Sequence, residues 1–271
     1  LQLVSRSMSL NLLADNVWSL SNRTNIHLHL DLVAGLPGSG LPEFFDAIDW
    51  TYALGADHLQ IELVKLLPGT PLRHQAKELN ICYDQSPPYG VLATTKWSFS
   101  ELERVRGISR LNDLLVNSHQ FPRLMAALIA VSGSLSSCLD ELNRYWCMQQ
   151  LHISSRSLRQ LAEELGRYVD WYAEGQLRMR MREALARDYA HTERVVSGNA
   201  PDFFDQSLTA SEQTQVRQQV KKYVAGLARE GKVQFFSSVF YQLPEAPGRR
   251  IVTFIYVTRT SAGVEVEEMM L

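Results

Sequence analysis

Two short apolar segments, each ending in a glycine- and proline-rich turn, constrain the fold more than any other feature of this sequence. The first runs from Ile26 to Ala34 and ends in Gly35-Leu-Pro-Gly38, and the second covers residues 58–66 and ends in Leu67-Pro-Gly69. Short, nearly continuous apolar runs are typical of parallel strands that are covered on both faces. The sequence therefore predicts two buried parallel strands.

Helical periodicity follows each of these strands. Apolar residues recur at helical spacing between about 41 and 54, and after the second strand Thr70 is a predicted N-cap with Pro71 in the first helical position. A weaker copy comes first, with a strand at 1–4 and a helix whose apolar face lies within residues 10–20. We therefore predict three strand–helix units and an α/β fold class.

Three such units are too few to close a barrel, and an open sheet of three strands leaves an edge and apolar surface uncovered. The chain also begins at Leu1, within a predicted strand and without an initiator Met. We therefore expect a C-terminal portion of a longer protein. A complete small α/β domain is the alternative.

Several separated motifs carry a family resemblance. They are the run from His29 to Leu72, Pro88-Tyr89-Gly-Val-Leu92, Thr95-Lys-Trp97, Glu101-Leu102 and Asn117-Ser118-x-x-Phe121. In this order they resemble the C-terminal half of cobalamin-binding radical S-adenosylmethionine (SAM) proteins, over roughly residues 1–121. The sequence looks closest to the subgroup with an extra C-terminal domain of unknown function.

The resemblance implies a partial (β/α) TIM-like radical SAM barrel fragment, followed by a mainly helical and α+β C-terminal extension. In this family a reduced [4Fe-4S] cluster cleaves SAM to a 5′-deoxyadenosyl radical that takes hydrogen from the substrate, and cobalamin can carry a methyl group. The resemblance thus implies SAM, a [4Fe-4S] cluster and cobalamin as cofactors of the full-length protein. The substrate, a small molecule or a peptide, is not identified.

Residues of the two strands and their turns are the expected cofactor-binding positions. They are Asp31, Gly35, Pro37, Gly38, Gln60, Lys65, Gly69 and Thr70. In α/β barrels, ligands bind at the carboxyl ends of the strands, where most of these residues lie. Catalytic residues cannot be assigned from the sequence.

Each of these positions also has a structural interpretation. Asp31 lies in an apolar strand, where a carboxylate needs a ligand, a backbone donor or a partner. Gly35 and Gly38 either permit the turn or allow adenosine to approach the backbone. Gln60 and Lys65 point to opposite faces if the strand alternates strictly.

The second turn has two interpretations as well. Gly69 and Thr70 form either an anion site at a helix N-terminus or a plain cap.

The chain lacks the ligands that an iron–sulfur cluster requires. Its three cysteines, Cys82, Cys138 and Cys147, do not form Cys-x-x-x-Cys-x-x-Cys. His27 and His29 share one strand face without a third ligand at a recognised spacing, which favours a structural pair. We therefore expect no metal site and no cofactor bound by this chain alone, and we expect its partners to be the missing N-terminal domains of the same protein.

Composition excludes some classes of function. A net charge of −2 gives no electrostatic signature for nucleic acid or an anionic membrane, and the longest apolar stretch, residues 124–131, is too short to span a bilayer. The three unpatterned cysteines and the absence of a signal peptide indicate a cytoplasmic protein.

We divide the chain into residues 1–97 as the barrel half, 98–190 as a helical subdomain and 191–271 as an α+β domain. Ser98-x-x-Glu101 opens a helix that extends to about 115. In the last segment, Thr209-x-x-Glu212 opens a helix that ends at Gly231.

Strands are predicted after that helix at about 233–241 and 250–258, joined by residues 244–249. A helix with a two-stranded wing is weakly typical of winged-helix domains. The alternative function is therefore a non-catalytic protein-interaction module, and binding to nucleic acid is not expected.

Overall fold

The structure is a computed structural model that describes residues 9–226, 232–259 and 263–271. The chain divides into two compact units. Unit 1 comprises the residues up to His119 together with Ile129–Ser154, and unit 2 comprises Gln120–Leu128 together with Ser155–Leu271. Helices and strands occur in both units, which confirms a mixed α/β chain. The described residues form small sheets and no closed barrel.

Unit 1 combines short strands with longer helices. Its elements are α1 (Leu10–Arg23), β1 (His29–Ala34), α2 (Leu41–Ala53), β2 (His58–Leu63), α3 (Pro71–His74), β3 (Cys82–Tyr83), β4 (Val91–Ala93), α4 (Phe99–Leu111), a π-helix (Asn112–Asn117), α6 (Leu135–Met148) and a 3₁₀ helix (Leu151–Ile153). α5 (Pro122–Ser132) crosses the boundary between the two units.

Unit 2 begins with helices and ends with a sheet. Its elements are α7 (Leu158–Tyr172), α8 (Gly175–Thr192), α9 (Ala210–Ala225), β5 (Lys232–Leu243), β6 (Ala246–Arg259) and β7 (Gly263–Met270). The predicted capping boxes are present, because Ser98 caps α4 together with Glu101, and Thr209 caps α9 together with Glu212. Residues 122–192 are mainly helical and form α5 to α8, with the short 3₁₀ helix between α6 and α7.

β1 and β2 form a parallel pair, as the sequence predicts. The register runs from His29 opposite His58 to Ala34 opposite Leu63, and α2 connects the two strands. The helix predicted for the first strand–helix unit, with its apolar face within residues 10–20, is confirmed as α1. The predicted strand at 1–4 lies outside the described residues.

Among the residues that the structure describes, helices cover one face of this sheet, so the expectation of burial on both faces is wrong for them. Leu59 and Ile61 are buried, α2 packs against β1, and α4 packs against β2. On the other face, His29, Asp31 and Val33 are exposed. β1 therefore alternates between covered and open positions, although most of its residues are apolar.

Side chains from α4 and the π-helix seal the outer edge of β2. The Ser109 hydroxyl donates to Ile61 O at 2.7 Å, and Asn112 Nδ2 donates to Leu59 O at 2.6 Å. Asn117 accepts from Leu59 N at 3.1 Å and donates to Leu59 O at 2.9 Å. These contacts pair the N–H and carbonyl of Leu59 and the carbonyl of Ile61 with side chains.

The π-helix was not predicted, because the sequence indicates one continuous helix to about residue 115. α4 instead ends at Leu111, and residues 112–117 adopt wider turns. Hydrogen bonds of a π-helix join residues five apart, and this spacing places Asn112 and Asn117 on one side of it. Both side chains consequently reach Leu59.

Unit 2 ends in a three-stranded antiparallel sheet in the order β5-β6-β7. The two predicted strands are confirmed, with a turn at residues 244–245 that is shorter than predicted, while β7 was missed. Val216 and Val220 of α9 pack against Val239, Ile251 and Ile255 of the sheet. The predicted two-stranded wing is therefore wrong, and Gly231 lies outside the described residues.

Within the described ranges, no single helix is both long and apolar enough to cross a membrane. α5 and α6 together have the length and apolar composition of a membrane span, but they are bent by 101° relative to each other.

Candidate functional site

The open face of the parallel sheet carries most of the polar side chains of β1 and β2. Three pairs of register neighbours share this face: His29 with His58, Asp31 with Gln60, and Val33 with Glu62. Side chains that stand opposite each other in a parallel pair point to the same side of the sheet. The structure therefore brings together Asp31 and Gln60, two of the residues expected from the sequence.

Glu62 links the remaining polar residues of this face. Gln60 Nε2 donates to one carboxylate oxygen of Glu62 at 3.4 Å, and Lys65 Nζ lies 3.3 Å from the other. Strict alternation would direct Gln60 and Lys65 to opposite faces, but it does not extend as far as Lys65. β2 ends at Leu63, so strict alternation ends there, and Lys65 instead forms an isolated bridge with Gly90.

Histidines line the amino-terminal end of the same face. The rings of His29 and His58 stack at 4.7 Å between centroids, and His27 lies 5.0 Å from His29. Asn117 Nδ2 is 3.3 Å from His58 Nε2. Among the residues that the structure describes, no group of three His, Cys, Asp or Glu is placed to hold a metal ion.

Asp57 fixes the backbone next to these histidines. Its carboxylate accepts from Leu28 N at 2.7 Å. This hydrogen bond lowers the pKa of Asp57 and outweighs the opposing effect of burial.

A polar groove of about 380 Å³ extends from this face around the edge of β2. Its polar lining consists of His58, Gln60, Glu62, Ser109, Asp113, Asn117 and Ser118. Asp113 accepts from Asn117 Nδ2 at 2.8 Å, which orients the amide toward β2. The groove offers both donors and acceptors, and π-helices occur frequently at functional sites. The residues that α4, the π-helix and Ser118 contribute to this groove were not among the expected site residues, although Asn117-Ser118 is part of a motif that carries the family resemblance.

Asp31 has no need of a buried partner. Its side chain is exposed because the open face of β1 is not covered by a helix. The expectation of a carboxylate inside an apolar strand that needs compensation is therefore wrong. The exposed carboxylate is accessible to a ligand.

The turn after β1 contains both glycines in left-handed backbone conformations, with φ of +85° at Gly35 and +96° at Gly38. A Cβ at Gly35 would lie 3.2 Å from Val64 Cγ1 and 3.3 Å from Leu102 Cδ2. Packing inside unit 1 and turn geometry thus explain Gly35. Gly38 is exposed and Pro37 is half-buried, so both are accessible to a ligand.

The turn after β2 has a different character. Thr70 is the N-cap residue of α3, as predicted, but its hydroxyl donates to Leu67 O at 2.8 Å and does not cap the helix. α3 is a single turn, too short for a substantial helix dipole. Gly69 has φ of +80° and open space where a Cβ would stand.

Arg73 organises the loop that follows β2, a role that the sequence did not reveal. Its guanidinium lies over the rings of Tyr83 and Tyr89, 5.2 Å and 4.9 Å from their centroids, and donates to Leu66 O at 2.9 Å. Tyr89 O in turn accepts from Leu66 N at 2.8 Å. The Pro88-Tyr89-Gly motif therefore holds the end of β2 in place.

Comparison with known families adds a sequence-based assignment. A family model described as a protein of unknown function, DUF4080, matches residues 77–235, more than half of the 271 residues. The chain belongs to this family. In this DUF4080 chain the matched range includes α4 and the π-helix but neither β1 nor β2. No curated protein matches the sequence.

The cysteines of the DUF4080 chain do not fit an iron–sulfur cluster. Burial raises the pKa of the Cys138 thiol to about 12, which opposes formation of the thiolate that a cluster binds. Cys82 and Cys147 are exposed, and the described residues do not bring three such ligands together. The open face of the sheet instead combines the carboxylates of Asp31 and Glu62 with the donors of Gln60 and Lys65.

Proposed function

We propose that this chain is the C-terminal part of the barrel of a cobalamin-dependent radical SAM enzyme, joined to its C-terminal domain. The observation that carries the proposal is the asymmetry of the β1–β2 sheet. Its two parallel strands have helices on one face and polar, open side chains on the other. In an α/β barrel, too, helices cover the outer face of parallel strands, and ligands are reached from the strand ends.

The polar face offers complementary groups for SAM. Gln60 and Lys65 can donate hydrogen bonds to its carboxylate, while Asp31 can accept from its ribose hydroxyls or its ammonium group. Glu62 holds Gln60 and Lys65 on one side of the strand. When bound, SAM supplies the 5′-deoxyadenosyl radical or the methyl group, and the role of this chain is to bind and orient it.

Family membership supports the same proposal. Domains of the DUF4080 family are associated with B12-binding radical SAM proteins. The [4Fe-4S] cluster and cobalamin would be held by other parts of a longer, cytoplasmic protein. The substrate would be a small molecule or a peptide.

The first test concerns the reading frame that contains this chain. We expect it to encode Cys-x-x-x-Cys-x-x-Cys upstream of Leu1. A complete reading frame without this motif would overturn the proposal and favour a non-catalytic interaction module.

The second test measures SAM binding by the full-length protein under anaerobic conditions. We expect Gln60→Ala and Asp31→Ala each to weaken the calorimetric affinity by about tenfold, the effect of losing one hydrogen bond to a charged group. Gln149→Ala, an exposed glutamine at the end of α6, is the matched control and should bind normally. Unchanged affinity in both site variants would show that this face does not hold SAM.

A further inference from the structure

A second cavity lies wholly within unit 2, in the part of the chain that the family model matches together with the turn after β5. Its volume is about 460 Å³, within the usual range for small-molecule sites. α5 contributes Arg123 and Ala127, α8 contributes Arg180 and Ala184, and the turn between β5 and β6 closes one end. We call it the arginine cleft.

The acidic residues of the arginine cleft are already engaged within the protein. Glu183 accepts from the backbone N–H groups of Tyr241 at 2.6 Å and Gln242 at 2.8 Å. Glu245 lies 2.8 Å from Arg187 Nη1. Glu245 is therefore paired with Arg187, and both oxygens of Glu183 are directed to the backbone of β5.

Two of the three arginines keep unused guanidinium N–H donors, and the third does not. Arg187 is fully used, because its other nitrogens donate to Glu268 at 3.1 Å and 2.6 Å. Arg123 uses one nitrogen, Nη1, on Asp188 at 3.2 Å. Arg180 is exposed and has no hydrogen-bond or ion-pair partner among the described residues. The cleft therefore has unused guanidinium donors on two facing helices.

Apart from these charged residues and Gln242, the wall is apolar. Small side chains at Ala126, Ala127 and Ala184 leave the space between the helices open, and Leu243 and Pro244 line the end of the cleft. A guanidinium pairs with carboxylate and phosphate oxygens through parallel N–H donors. An apolar body can then lie along the alanines.

We propose that the arginine cleft binds a small organic anion, with its carboxylate or phosphate group on Arg180 and Arg123 and its apolar body against the alanines. This site is separate from the polar face of the β1–β2 sheet. It does not depend on the proposed SAM chemistry.

Isothermal titration of the full 271-residue chain with phenyl phosphate, benzoate and phenol tests the proposal. We expect one or both anions to bind and phenol to bind at least tenfold more weakly, because it lacks the anionic group. Arg180→Gln should weaken anion binding by about tenfold or more without lowering the thermal stability. The stronger of the two anions identifies the preferred headgroup.

Two further variants distinguish binding in the arginine cleft from nonspecific attraction of anions to surface arginines. Arg178→Gln removes an arginine on the same helix that faces a different cavity, so binding should remain within twofold of wild type. Ala184→Leu fills the cleft and should abolish binding while Arg180 is retained. The absence of binding by either anion to the wild-type chain would overturn the proposal, and so would equal losses in the Arg178 and Arg180 variants or an unaffected Ala184 variant.

Discussion

Gly107 of α4 and Asn143 of α6 fit so closely that no side chain can be accommodated at position 107. A Cβ there would overlap Asn143 Oδ1 and lie 2.8 Å from its Cγ. Asn143 is held in place, because Nδ2 donates to Arg104 O at 3.3 Å and Oδ1 lies 2.9 Å from His152 Nε2. The contact sets how closely these two helices of unit 1 approach each other.

Gly107→Ala should therefore destabilise the protein by about 1–3 kcal/mol, the usual cost of overpacking. An exposed helical glycine replaced by alanine would instead gain up to about 1 kcal/mol. The sign of the change in unfolding free energy, measured by urea denaturation, thus distinguishes the two cases. Adding Asn143→Ala should recover part of the loss, and a stabilised Gly107→Ala variant would contradict the prediction.

Asn117→Ala should destabilise unit 1 by about 1–3 kcal/mol, because it removes the side chain that pairs with the Leu59 backbone N–H and shares its carbonyl. Amide hydrogen exchange at Leu59 should accelerate in the same variant. Asn22→Ala is the matched control, since Asn22 contacts only the exposed Trp18 carbonyl of its own helix. Equal protection of Leu59 in wild type and Asn117→Ala would exclude the sealing role.

Asp188 should make unit 2 less stable as the pH rises through the acid range. Burial raises the pKa of this carboxyl to about 6, against the hydrogen bonds from Leu124 N and Arg123, compared with 3.8 in an unfolded chain. Between these values the folded state retains a proton that the unfolded state has lost. Relative to Asp188→Asn, the wild type should lose about 2–3 kcal/mol of unfolding free energy between pH 4 and pH 6.

Denaturation of wild type and Asp188→Asn across this pH range measures the difference directly. The exposed Asp202 provides a control, and Asp202→Asn should show no such trend. A constant difference between wild type and Asp188→Asn would contradict the assignment.

Glu268 should behave in the opposite sense. Burial is the largest single influence and raises its pKa, but hydrogen bonds from His191 and Arg187 together lower the pKa to about 2, from 4.5. The stabilisation is therefore present above pH 4.5 and is lost as the pH falls toward 2. Relative to Glu268→Gln, wild type should lose about 3 kcal/mol over that window. Glu267→Gln, at the exposed neighbouring residue, is the control and should leave the loss of unfolding free energy below pH 4.5 unchanged.

Reconstitution of the 271-residue chain with iron and sulfide should give no cluster absorbance and no cleavage of SAM. The reason is the scattered placement of Cys82, Cys138 and Cys147. Anaerobic visible spectroscopy and a 5′-deoxyadenosine assay measure both outcomes. A broad iron–sulfur absorbance from this chain alone would refute the expectation.

Local signals predicted much of the fold. The turn at Gly35 marked the end of β1, the apolar run at 58–66 located β2, and Ser98 and Thr209 marked the starts of two helices. Turns and helix caps depend on a few neighbouring residues, so they can be predicted from local sequence. The third strand of the last sheet was missed because its alternating glutamates resemble a solvated tail.

The candidate site was less predictable, because it depends on what covers each strand. Asp31 stands in an apolar run, yet the open face of the sheet leaves it exposed. Lys65 joins Glu62 only because β2 ends two residues earlier. The π-helix follows an uninterrupted helical pattern, and its role is visible only in the contacts of Asn112 and Asn117 with a strand more than fifty positions away.

The sealing of β2 affects how the family region can be excised. A fragment of residues 77–235 would retain Ser109, Asn112 and Asn117 but lose the backbone of Leu59 and Ile61 to which they bind. Its other end would cut through β5. The region that sequence comparison outlines therefore lacks contact partners at both ends, and we expect autonomous expression of this domain to need both strands of the parallel sheet and the whole three-stranded terminal sheet.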